Sequence, residues 1–158
     1  METIFDSLSS EPFLAGLAES HLRQLTSCTS WAVFATGYRV FAEGGRANRF
    51  WLIKKGRVDL RSRVPGHGDV VVESLGPGAV LGWSWLFEPY LWHFSAVAPE
   101  TTFALCLNGP VVRRLCTQDP ELGYELSSRF NRVVVQRLQA TRRRLLAAPC
   151  GGPAEPLA

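Results

Sequence analysis

The chain has 158 residues, 46% of them apolar and 20% charged, which suits one domain with enough apolar side chain to fill a single core. Its net charge of +3 is too small to mark a nucleic-acid binder. No apolar run approaches the ~20 residues of a membrane-spanning helix.

The N-terminus, METIFDSLSSEPF, has neither a basic region nor a long apolar run, so no signal peptide is expected. Cys28, Cys106, Cys116 and Cys150 are scattered without CxxC spacing. The reading is a cytoplasmic protein whose reduced thiols act as small apolar residues.

Three regions follow in chain order, with no internal repeat. Residues 1–30 read as N-terminal helices. Ser10-Glu11-Pro12 is a helix start with Pro in the first turn, followed by an apolar face of Phe13, Leu14 and Leu17. Ser20 is placed to cap a second short helix carrying Leu22 and Leu25.

Residues 31–110 read as β structure. Short runs such as Arg39-Val40-Phe41-Ala42, Phe50-Trp51-Leu52-Ile53, Arg57-Val58-Asp59-Leu60 and Val70-Val71-Val72-Glu73 alternate with glycine turns. Many short strands at turn spacing predict a sandwich, jelly roll or barrel.

Residues 111–148 read as helical again. Val111 to Cys116 is a short helix. Asp119-Pro120-Glu121 then supplies an N-cap acid, Pro at N1 and a second acid at the positive helix end. The helix that follows is expected to run to about Ala147. Leu122, Leu126, Phe130, Val134, Leu138, Thr141 and Leu145 form one apolar stripe at steps of three or four. Six arginines and no acid lie between Leu126 and Ala148. The tail, 149–158, is rich in Pro, Gly and Ala and is expected to be disordered.

A helix of this length spans about 40 Å, more than a small barrel covers. Part of its stripe is therefore expected to meet the same helix of a second copy across a two-fold axis; the alternative is that the helix folds back entirely on its own barrel. Leu126, Phe130, Val134, Leu138 and Leu145 are the expected homodimer interface.

The order of features is specific. Two short helices precede Gly37 and Glu43-Gly44. Next come Phe50-Trp51-Leu52-Ile53-Lys54-Lys55-Gly56, then Leu75-Gly76-Pro77-Gly78 through Leu81-Gly82, and last the long helix. This series resembles the sensor domain of the catabolite-activator/FNR superfamily of bacterial regulators, from about Phe13 to Leu146. The resemblance implies a mainly β fold, a double-stranded β-helix flanked by helices, with a long C-terminal dimerisation helix. In most family members a winged-helix DNA-binding domain follows. Only about a dozen residues follow Leu146 here, too few for a helix-turn-helix, so the expectation is a free-standing sensor domain, the alternative being a fragment of a longer protein.

In that family the segment matching Gly82 to Leu86 begins Gly-Glu, and the glutamate accepts a hydrogen bond from the ribose. A downstream arginine neutralises the cyclic phosphate with its guanidinium fork. Here the glutamate position is Trp83 and the arginine position falls at or beside Trp92, within Leu91-Trp92-His93-Phe94. No arginine occurs between Arg63 and Arg113. Burying the ligand's negative charge without a cation costs several kcal/mol, so cyclic AMP or GMP is not expected to bind in the usual way.

Gly82, Trp83, Ser84, Trp85, Leu86, Trp92, His93 and Phe94 are the ligand-site candidates. Thr141 and Arg142 of the long helix join them, because the family's helix contacts the base near there. The aromatics either fill the old pocket as core, line a pocket for an apolar ligand or a non-standard nucleotide, or dock a protein. A basic residue reaching in from the long helix is the one route to an anionic ligand.

His21, His67 and His93 lie apart with no HxH spacing, and no cysteine cluster exists, so no metal or other cofactor is expected. No P-loop, nucleophile elbow or paired catalytic carboxylates occur, so no enzyme is expected. The arginines of the long helix read as its solvated flanks, and direct DNA binding is not expected. The resulting expectation is a non-enzymatic regulatory protein signalling to an effector protein. The alternatives are a ligand-free interaction or scaffold module, and a transcription regulator acting with a DNA-binding partner.

Overall fold

The computed structural model describes residues 2–147. The expected disordered tail, 149–158, lies outside the described residues.

Two four-stranded antiparallel sheets face each other. One has the order β1 (Thr29–Phe34), β8 (Thr102–Asn108), β3 (Arg49–Lys55), β6 (Val80–Leu81). The other has the order β2 (Arg39–Phe41), β7 (Ser95–Val97), β4 (Val58–Val64), β5 (Gly68–Leu75). Helices α1 (Ile4–Ser9), α2 (Glu19–Thr26), α3 (Gly109–Gln118) and α4 (Pro120–Ala147) complete the fold. This is the predicted β-roll with N-terminal helices and a long C-terminal helix.

Strand alternation explains the core. In β3, Phe50 and Leu52 join the apolar cluster beneath the helices, while Trp51 and Ile53 join the cluster inside the roll. In β8, Leu105 and Leu107 face the helices and Ala104 faces the roll. Successive side chains of a strand point to opposite faces. A strand buried on both faces therefore needs an unbroken apolar run, and Phe50-Trp51-Leu52-Ile53 is that run.

The N-terminal helices depart from expectation. The first α-helix is α1, closed by a capping box: the Asp6 amide donates to Thr3 Oγ1 (3.1 Å) and the Thr3 amide to Asp6 Oδ2 (3.1 Å). Pro12–Leu14 is only a 3₁₀ turn. The cap of α2 is Ala18 rather than Ser20, which lies inside the helix. The turn is fastened from α4 instead: Arg129 donates to the carbonyls of Phe13 (3.1 Å) and Ala15 (2.7 Å).

The C-terminal reading is close. Asp119 Oδ1 accepts from the Leu122 amide at 3.3 Å, and α4 runs 28 residues to Ala147. Its first half packs on the roll, and Phe130 sits edge-on to Phe13, Phe50 and Trp85. Burying a side chain of this size contributes about 1.5–3 kcal/mol.

This packing corrects the dimer expectation at two positions. Leu126 and Phe130 are fully buried in the chain's own core, so they are not available to a second copy. Val134 is half-buried against the roll. Leu138 and Leu145 are exposed, at 64% and 76%. The stripe thus divides: its N-terminal part is core and its C-terminal part is surface. No described helix is long and apolar enough to cross a membrane.

Candidate functional site

The cassette begins where β6 ends. Gly82 adopts φ +95°, a left-handed conformation that glycine tolerates and other residues resist. The glycine is also needed for space. A Cβ there would stand 2.9 Å from two ring atoms of Trp92. The chain then makes a 3₁₀ turn at Ser84–Leu86 and returns to β7 through Trp92, His93 and Phe94.

The cassette tryptophans separate onto different sides of the first sheet. Trp85 is fully buried under the helices, stacked on Phe50 at 4.6 Å, and its indole N–H has no partner among the described residues. Trp92 goes to the roll interior and stacks on Phe41 at 3.8 Å with an interplanar angle of 9°. Its backbone is held as well: the Gly44 amide donates to the Trp92 carbonyl and the Trp92 amide to the Gly45 carbonyl, both at 2.8 Å.

Trp83 joins neither core fully. It is half-buried and stacks on the exposed His93 at 4.9 Å, while Ser84 Oγ lies 3.0 Å from His93 Nδ1. Leu86 packs at the edge of the helix-side cluster, and Phe94 at the edge of the roll cluster.

The two sides of Trp83 differ in open volume. Toward Gly82, Trp92 and Phe41, about 10 Å³ remains. Toward α4 and β5 lies a groove of about 370 Å³. Val72, Trp83, Phe94, Val134 and Leu138 form its apolar walls, and Arg137, Arg144, Thr141 and Glu73 its polar groups.

Arg137 borders both spaces. Its guanidinium is half-buried and donates to the Val80 carbonyl. Burial pulls it below the usual arginine range, and the Glu73 carboxylate opposes that shift. Arg144 donates to the Val72 carbonyl at the far end of the groove. Thr141 lines the groove, whereas Arg142 is exposed and does not. A residue one step along a helix is turned by about 100°, which carries Arg142 off the face that Thr141 shares with Arg137 and Arg144.

A second cluster joins groups far apart in sequence. His21 Nε2 lies 3.3 Å from Asp119 Oδ2 and 3.8 Å from Glu121 Oε1. These are ligand types of a divalent-metal site. Asp119 is already engaged, since Oδ2 accepts from Gln24 at 2.9 Å and Oδ1 from the Leu122 amide. Those bonds, Gln24 first, hold its carboxyl below the usual range. The cluster tethers α2 to the start of α4.

Comparison with known proteins places this geometry. The family model described as Cyclic nucleotide-binding domain matches residues 31–119. A "CRP-like cAMP-activated global transcriptional regulator" of Mycobacterium tuberculosis is 27% identical over 130 residues, covering 82% of this chain and 56% of the relative. The chain thus spans little more than half the length of that relative. A solved Geobacter metallireducens GS-15 protein, named for cyclic nucleotide binding, is 28% identical with a TM-score of 0.76, covering 84% of this chain and 96% of that one. A cyclic nucleotide-binding domain from Methylobacillus flagellatus KT shares the fold, with a TM-score of 0.79 at 20% identity over 96% of this chain and 85% of its own. With more than half its length matched by the family model and its roll, cassette and long helix in the family order, the chain belongs to the cyclic nucleotide-binding domain family.

Proposed function

We propose that this domain is a non-enzymatic regulatory module whose cyclic-nucleotide slot is closed, and that it signals through α4 without responding to cyclic AMP or GMP. The observation that carries the reading is Trp92. It stands at or beside the position of the family's phosphate-binding arginine, and the space it lines with Phe41, Gly82 and Trp83 is about 10 Å³. Small-molecule sites need about 300 Å³ or more. The Mycobacterium tuberculosis relative is named as cAMP-activated. This chain keeps the frame of such a domain and replaces its acidic and basic ligand groups with Trp83 and Trp92.

The output element is the distal half of α4. Val135, Leu138, Leu145 and Leu146 are exposed apolar residues. Tyr124, Leu138 and Leu145 stand at multiples of seven, Val135 lies three residues before Leu138, and Leu146 borders the same face, which suits a two-helix seam. Pairing with a second copy there would couple the roll to a partner, and an effector protein would read the geometry of that pair. Leu145→Glu is expected to yield monomers by light scattering, and an undiminished dimer would remove the seam from the reading.

Thermal unfolding tests the closed slot. A ligand that binds only the folded state at ~100 times its Kd adds about 2.7 kcal/mol of stability. Millimolar cyclic AMP or GMP is expected to leave Tm unchanged. A saturable rise with either nucleotide would refute the closed slot.

A further inference from the structure

We propose that His21, Asp119 and Glu121 form a binding site for one divalent transition-metal ion, zinc first among them. The site joins α2 to the junction of α3 and α4. It shares no residue with the slot or the groove, so it stands whether or not the slot is closed. Histidine spacing gave no sign of it, because the partners of His21 are carboxylates far along the chain.

The first argument is distance. The three ligand atoms all lie within 4.8 Å of one another. His21 Nε2 is 3.3 Å from Asp119 Oδ2 and 3.8 Å from Glu121 Oε1. A tetrahedral zinc ion with bonds of ~2.0–2.1 Å holds its ligands about 3.3–3.4 Å apart. A charge-assisted hydrogen bond between imidazolium and carboxylate is shorter, about 2.7–2.9 Å. The nitrogen and the first oxygen therefore stand at ligand spacing. Glu121, whose side chain is 81% exposed, is free to close the third edge by a small rotation.

The second argument is the histidine itself. His21 is buried, at 4% exposure, and its Nδ1 has no partner among the described residues. The other nitrogen, Nε2, is aimed at the two carboxylates. Buried polar side chains are ordinarily satisfied, and a ring held between acceptor-only groups is placed to ligate a cation there.

The third argument is support and charge. A ligating carboxylate is itself oriented by hydrogen bonds. Asp119 receives one from Gln24 at 2.9 Å and one from the Leu122 amide at 3.3 Å. An ionised carboxylate offers about four lone-pair sites, so both bonds leave it room for an ion. The N-terminus of α4 carries about half a positive charge, less than the two carboxylates supply. One imidazole nitrogen selects zinc or its neighbours over magnesium and calcium, which take oxygen ligands. The exposed side of Glu121 leaves an entry path and a fourth position for water.

Calorimetric titration of the wild-type protein with zinc chloride tests the assignment, beside an equal titration with magnesium chloride. Zinc is expected to bind one-to-one and to raise Tm, EDTA to reverse the rise, and magnesium to give no saturable heat. Glu121→Gln changes an exposed side chain and is expected to leave the metal-free Tm unchanged while weakening zinc at least tenfold. His21→Gln should abolish the site. Cobalt(II) in place of zinc should give the visible bands of a four-coordinate site without a thiolate charge-transfer band, which separates these ligands from the cysteines.

No one-to-one zinc binding, or zinc binding undiminished by Glu121→Gln, would overturn the proposal. A thiolate band would move the ion to a cysteine and overturn it equally. Magnesium binding as tight as zinc would reduce the cluster to acidic surface attraction.

Discussion

The space on one side of Trp83 is nearly filled, at about 10 Å³, and the space on the other is open, at about 370 Å³. On the slot side, Trp92 is pinned by two backbone hydrogen bonds, stacked on Phe41, and fitted against a glycine that can carry no side chain. On the groove side, half-buried Trp83 stacks on the exposed His93, meets Phe87 edge-on and faces α4 across about 370 Å³. A large aromatic therefore means opposite things at neighbouring positions. Where backbone and neighbours converge on it, it is core; where they diverge, it is a wall.

The contrast is broken most severely at Trp92. Trp92→Ala removes a ring buried in the roll and is expected to cost about 3–5 kcal/mol of stability by denaturant unfolding. Trp83→Ala should cost less than half as much, because that ring is only half-buried. Equal losses would mean that the two tryptophans are both core and that the groove wall is not a distinct feature.

Gly82→Ala is the next largest effect. It forces a Cβ to 2.9 Å from the Trp92 ring at a backbone φ of +95°. A loss of about 1–3 kcal/mol is expected. Combining it with Trp92→Ala should return part of that loss, since the ring that the new methyl meets is gone. Full additivity would place the strain in the backbone alone.

The smallest expected effect lies away from both spaces, at the tether beneath α4. Asp119 is ionised more readily in the folded chain than its ordinary value of 3.8, chiefly through Gln24 and the Leu122 amide. Its stabilising contribution is therefore complete above that value and is lost as pH falls through the lower folded value. Asp119→Ala should lower Tm slightly at pH 7, and the difference from wild type should shrink below about pH 4. A difference that grows on acidification would contradict the tether.

The architecture was legible because it is written locally. The glycine turns mark strand ends, and Asp119-Pro120-Glu121 marks the start of α4 to the residue. The capping box at Thr3 and Asp6 escaped notice because its second member is Asp rather than the usual Glu or Gln. The cassette tryptophans could be grouped but not sorted. They lie on a loop without strand or helix period, so nothing in their spacing says that Trp85 turns to the helices and Trp92 to the roll.

Arg137 was missed for a different reason. The far wall of the space it borders comes from Val72, Glu73, Trp83 and Phe94, more than forty positions earlier, and only the crossing of α4 over the roll brings them together. One signal did exist. Arg137 lies three residues after Val134, in phase with the buried face of the helix, whereas Arg142 does not.

The central claim is that Trp92 has closed the nucleotide slot of an otherwise intact frame. The most direct measurement is a calorimetric titration of cyclic AMP and cyclic GMP into the wild-type chain, beside a Trp83→Glu, Trp92→Arg double variant. The account predicts no heat of binding for wild type and a measurable affinity in the variant, which regains the acid and the guanidinium that the family uses. Nucleotide binding by the wild-type chain would contradict it.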